Sequence, residues 1–164
     1  MSNAARLSEV AWVLETTPTH CHELAANMRE EDRDEIWKSS RLHPLEALLL
    51  GQMDSLRTWT FLVHGRVVAI FGVAPLTDMV GAPWMLASPE LPQARKTFLA
   101  HCRDYINQMH ELRPVLMNRA WTGNPVHLLW LRWLGFEFCD PEPFGPDGEA
   151  FQEFQKVQFP CVPS

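Results

Sequence analysis

Seven histidines, four cysteines and one tyrosine are the side chains of this 164-residue sequence that could move a proton or attack a carbon near neutral pH. His127 stands three residues after Asn124, where a strand-like run gives way to an apolar run opened by Pro125. A histidine at such a junction can act as a general base. Asp78, in the polar stretch before Trp84, is a second candidate base, although turn chemistry also explains an aspartate there. Arg95 and Lys96 are an adjacent basic pair that could hold a phosphate. Tyr105 falls on an apolar helical stripe, so core packing is its simplest role. His20-Cys21-His22 offers metal-binding residue types, but adjacent residues on a helix point in different directions and no second ligand pair follows. No metal site is expected.

The remaining composition narrows the field. Cys21, Cys102, Cys139 and Cys161 form neither a CxxC pair nor a zinc spacing, which reads as free thiols in a reducing compartment. The net charge is -6, from 14 basic and 20 acidic residues, with no basic run, so nucleic-acid binding is excluded. No apolar run approaches the roughly 20 residues of a membrane span. Seven tryptophans and nine phenylalanines supply large core anchors. Trp121, Trp130 and Trp133 could instead present a partner surface.

Such residues need a scaffold, and the hydrophobic pattern supplies one domain over residues 1–164. Glu9 to Glu15 reads as a strand burying Val10, Trp12 and Leu14. Three helices follow: one opened by Thr17-Pro18, one over Glu31 to Lys38 with Ile36 and Trp37 inward, and one over Pro44 to Met53 ending near Gly51. Thr58 to His64 and Arg66 to Val73 are strands joined by a His64-Gly65 turn, with a shorter strand at Pro83 to Ala87. Ser88-Pro89-Glu90 is expected to cap a long helix reaching about Glu111. Val115 to Trp121 is a strand, Asn124 caps a helix, and Gly135 ends it. Strands at Phe136 to Cys139 and Ala150 to Gln158 flank a Pro/Gly-rich loop. The fold class is α+β, with helices on a mixed, mostly antiparallel sheet in the order β-ααα-βββ-α-β-α-ββ.

This order resembles the GNAT (N-acetyltransferase-like) superfamily, as does the run from Asn124 through an apolar helix to Gly135-Phe136. Within Trp84 to Phe138 the sequence further resembles the internal virion protein A family of T7-like phages, in Trp121, Gly123, Asn124 and His127. The GNAT resemblance implies an acetyl-CoA site near Trp84, Arg95, Lys96 and Asn124. It also implies a glycine-rich phosphate loop, but the corresponding stretch, Ala87 to Ala94, has no glycine and holds Pro89, Glu90 and Pro92. The tyrosine expected seven residues after Asn124 is Leu131.

Two functions follow. In the first, which these departures favour, the chain is a catalytically degenerate GNAT-like phage protein. It acts through a protein partner in the virion or on a host target in the host cytoplasm. In the second it is an active acetyl-CoA-dependent N-acetyltransferase, with Arg95 and Lys96 on the phosphates and His127 or Asp78 on the amine. The second requires the sheet to open between the Trp84 and Trp121 strands.

Overall fold

The computed structural model describes residues 4–159. Cys161 lies outside them. The strands are β1 (Ala5–Arg6), β2 (Ala11–Glu15), β3 (Arg57–Val63), β4 (Arg66–Pro75), β5 (Val80–Ala87), β6 (Val115–Trp121), β7 (Glu137–Phe138), β8 (Glu142–Phe144) and β9 (Glu149–Val157). The helices are α1 (Pro18–Ala26), α2 (Glu30–Ser40), α3 (Pro44–Asp54), α4 (Arg95–Leu112) and α5 (Pro125–Trp133). The strands form one sheet in the order β1-β2-β3-β4-β5-β6-β9-β7, with β8 pairing off β9. Every strand pairing among the described residues is antiparallel except β5 with β6.

Local chemistry explains the element ends. Thr17 accepts the His20 N–H through its hydroxyl, and His20 Nδ1 accepts the Thr17 N–H at 3.1 Å, a reciprocal cap over Pro18. In the β3–β4 turn His64 and Gly65 both take positive φ, 51° and 75°, as a two-residue hairpin requires. Gly123 is glycine for space: a Cβ there would lie 2.2 Å from the Trp121 ring.

Helices α4 and α5 cover one sheet face, with Trp59, Phe61 and Phe71 beneath them, while α1 to α3 cover the other over Val67 and Ile70. Phe98 of α4 stacks on Phe61 at 4.9 Å and touches Trp130 of α5 at 5.4 Å.

Several sequence expectations are corrected. On β2 the buried face is Ala11 and Val13, at 2% and 1% exposure, while Val10 and Trp12 are 40% and 39% exposed. Alternation identified a two-faced strand but not which face meets the core, and here Ala11 and Val13 join the core around Trp59 and Phe61 while Arg6 covers Trp12. Trp37 is 43% exposed, stacked on His43 and flanked by Arg41. Gly51 lies inside α3 because the Trp84 ring packs where its side chain would be. The long helix starts at Arg95; Ser88 is buried, and Leu91–Ala94 forms a 3-10 turn before it. The Pro/Gly-rich loop contains β8, and β9 sits between β6 and β7.

Candidate functional site

Strands β5 and β6 run parallel but pair only at Val80–Val115 and Gly81–Leu116. Beyond these residues they diverge. At the crotch Asn118 Nδ2 donates to the Pro83 carbonyl at 2.9 Å, while Asn118 Oδ1 accepts the Arg119 N–H at 2.8 Å. The divergence opens a cavity of about 490 Å³ through the sheet. On the α2–α3 side it meets Glu35, Leu50, Gly51 and Trp84; on the α4–α5 side it meets Cys102, Tyr105, His127 and Trp130.

Helix α2 holds the two diverging strands. The Arg29 N–H donates to the Ala87 carbonyl at 2.8 Å, and the Ala87 N–H donates to Asp32 Oδ2, also at 2.8 Å. Asp32 is almost fully buried and paired with Arg29 at 2.7 Å. Burial pushes its carboxyl up, while the Arg29 guanidinium and the Ala87 N–H pull it down. The paired, hydrogen-bonded geometry is that of a carboxylate. One helical turn later, Glu35 Oε1 accepts the Trp121 N–H at 2.6 Å. The same carboxylate places Oε2 3.7 Å from His127 Nδ1, with both side chains largely buried.

The β5 edge has a polarity set by alternation. Ala87 donates into the gap and Pro83 accepts from it, whereas the next residue, Ser88, donates to Val68 of β4. The β4–β5 register has no bulge, so Met85 presents its N–H and carbonyl to the gap. Pro83 has no N–H and Ala87 has given its own to Asp32. Among the described residues of this edge, Met85 is left as the donor with no strand opposite it.

Three buried side-chain nitrogens of α5 and its cap lack a hydrogen-bond partner: Asn124 Nδ2, His127 Nδ1 (its nearest partner the Glu35 carboxylate at 3.7 Å) and Trp130 Nε1. They follow one another at three-residue intervals, hence along one face. A buried donor without an acceptor costs about 1–3 kcal/mol, which a ligand acceptor would recover. Trp130 lies beside Cys102, whose thiol burial pushes up to about 12, so it stays protonated.

The residues singled out from the sequence fall in three places. His127 and Trp84 line the cavity; Trp84 also donates through Nε1 to Ser55 Oγ at 2.8 Å, so part of its role is to anchor α3. Asn124 occupies the cap position of α5 but makes no side-chain cap bond. It is 2% exposed, and its backbone carbonyl accepts from Leu128. Asp78, Arg95 and Lys96 are exposed and do not line the cavity; Asp78 sits in the turn at the closed end of the β5–β6 pair. Tyr105 packs edge-on against Trp59 and Phe71, as expected of a core ring, and also lines the cavity. Sequence reasoning missed Glu35. It sits among other acidic residues in α2, and only the fold brings it to Trp121 and His127.

No family model and no curated protein sequence matches the chain. Its architecture does match solved acetyltransferases. RimL, the ribosomal L7/L12 alpha-N-protein acetyltransferase in complex with coenzyme A, superposes with a TM-score of 0.67 at 8% identity, over 95% of this chain and 98% of that one. YncA of Salmonella typhimurium with acetyl-CoA gives 0.71 at 10% identity, over 94% and 98%. The ribosomal-protein-S5-alanine acetyltransferase of Vibrio fischeri gives 0.66 at 11% identity, over 98% and 99%. The chain therefore has the GNAT fold. The likeness to the phage family rests on its motif residues alone.

Proposed function

We propose that this protein is an N-acyltransferase that takes an acetyl-CoA-type thioester in the gap between β5 and β6. The observation that carries the reading is the divergence of those strands around an apolar cavity, with Met85 N–H unpaired on one wall and Glu35–His127 at the other. That two similar structures hold coenzyme A or acetyl-CoA supports it.

Each role follows from an observed position. Met85 N–H is oriented to stabilise negative charge on a thioester oxygen. Its carbonyl can accept from an amide of an extended arm, as an unpaired strand edge does. His127 takes the proton as the amine nitrogen bonds to the acyl carbon, and Glu35 holds the imidazolium. The carbon–sulfur bond breaks and the thiolate takes a proton from Tyr105, whose hydroxyl burial keeps protonated. Solvent exchange then returns both groups to their starting states.

Turnover of acetyl-CoA with a panel of primary amines, including peptide N-termini, tests this. His127→Ala should lower kcat by about 100-fold or more, in line with loss of a general base. No turnover by the wild-type protein on any amine would contradict the proposal.

A second reading, a catalytically degenerate scaffold acting by protein contact in a phage virion or on a host target, is favoured by the proline-bearing Ser88–Arg95 stretch. Trp37 and Trp133, both substantially exposed, would be its contact residues. Pull-down with Trp37→Ala and Trp133→Ala tests it: this reading expects a captured virion or host protein to be lost.

A further inference from the structure

The cavity suits one half of coenzyme A, while the described loop ahead of α4 is poorly furnished for the other. A nucleotide end brings phosphates, which a helix start binds through N–H groups with no other partner. Between Ser88 and Arg95, Pro89 and Pro92 have no N–H, and five of the remaining six residues donate within the chain. Ser88 donates to Val68, Glu90 to the Ser88 hydroxyl, Leu91 to Ser88, Gln93 to Glu90 and Arg95 to Pro92. The Glu90 carboxylate lies in this loop and is paired to Arg66 at 2.5 Å. Ala87 N–H, the last strand donor before the loop, is held by Asp32. Arg95 and Lys96 are exposed outside the cavity.

The arm half fares differently. A pantetheine arm is a narrow chain of methylenes and two amides ending in sulfur. The gap is apolar, and its β5 wall has an unpaired peptide edge at Met85. Amide-to-strand pairing and apolar burial need no phosphate contact.

We infer that the donor is recognised by its acyl-pantetheine arm alone, so that the thioester is accepted whether the arm is free, on the nucleotide or on a carrier protein. This rests on the acyltransferase reading above and narrows its substrate class.

The test compares acetyl-CoA, S-acetylpantetheine and an acetylated pantetheinyl carrier protein as ligands of the full chain, by titration calorimetry. Acetyl-CoA and S-acetylpantetheine should have Kd values within about threefold of each other, because the nucleotide contributes no binding energy. The Arg95→Ala/Lys96→Ala double variant should leave both unchanged, and a tenfold rise in salt should move Kd by less than about twofold. The carrier arm assigns the source: tighter binding than S-acetylpantetheine names a carrier protein, and parity names the small thioester. Acetyl-CoA binding about 30-fold or more tighter than S-acetylpantetheine would overturn the inference while leaving the acyltransferase reading intact. Failure of every thioester to bind would overturn both.

Discussion

The Glu35–His127 pair concentrates the chemistry at one point. Glu35 is committed to the Trp121 N–H through one oxygen and faces His127 with the other. Glu35→Gln keeps the Trp121 bond through its amide oxygen but loses the negative charge opposite the imidazolium. It should lower kcat about tenfold with little change in KM, read from steady-state kinetics. Tyr105→Phe should reduce kcat by a similar factor if the phenol protonates sulfur; it should rescue fully with a donor bearing a low-pKa leaving thiol. At this scale His127 and Trp84 were singled out in the sequence by a motif position and a strand pattern, and both line the cavity. Glu35 was not, because a carboxylate in an acidic helix looks like a solvated one until its partners, 86 residues away in the case of Trp121, are known.

Helix α2 is the element on which the open gap depends. Its first turn docks on Ala87 from both sides, and its second reaches Trp121, so Asp32 and Glu35 at i, i+3 tie β5 to β6 where their ladder has ended. Asp32→Ala strands the buried Arg29 charge and the Ala87 N–H. Chemical denaturation should show a loss of about 3–5 kcal/mol, whereas an exposed acidic residue of the same helix, such as Glu31, should matter little. Thr17→Ala should remove the cap of α1 at about 1 kcal/mol. Helices opened by a proline and strands flanking the His64-Gly65 turn were readable from the sequence because capping and turn residues act locally. The start of the long helix was misplaced because Pro89 and Pro92 fit a 3-10 turn as well as a first α-turn. The buried side of β2 was misread because a period of two fixes alternation, not the direction of the core.

Stability of the whole molecule should depend on pH through two histidines, the buried His110 and the half-buried His20. His110 is buried, with Nδ1 3.1 Å from the Pro114 carbonyl, and burial lowers its pKa despite that contact. His20 is lowered chiefly by burial too, with Glu23 opposing, and its Nδ1 must stay unprotonated to accept the Thr17 N–H. A histidine lowered in the folded state binds protons more tightly when unfolded. Stability is therefore full above the unfolded value of about 6.5 and falls as pH drops below it. Urea unfolding at pH 7 and pH 5 should show this loss, and His110→Leu should reduce it. The order of the helices and the longer strands was legible because periodicity and turn residues act within each segment, whereas the short β1 and β8 were missed. The gap entered only as a condition that the acetyltransferase reading set on the Trp84 and Trp121 strands, since it arises where two strands stop pairing. The acyltransferase reading requires a thioester to lie in that gap. The most direct measurement is a two-dimensional nitrogen–proton NMR titration with acetyl-CoA, following the Met85 amide and the tryptophan indole signals assigned by Trp→Phe variants. The largest shifts are expected at Met85, Trp130 and Trp84, with Trp12, Trp37 and Trp133 unmoved. Shifts confined to the exposed tryptophans, or none at saturating ligand, would contradict that reading.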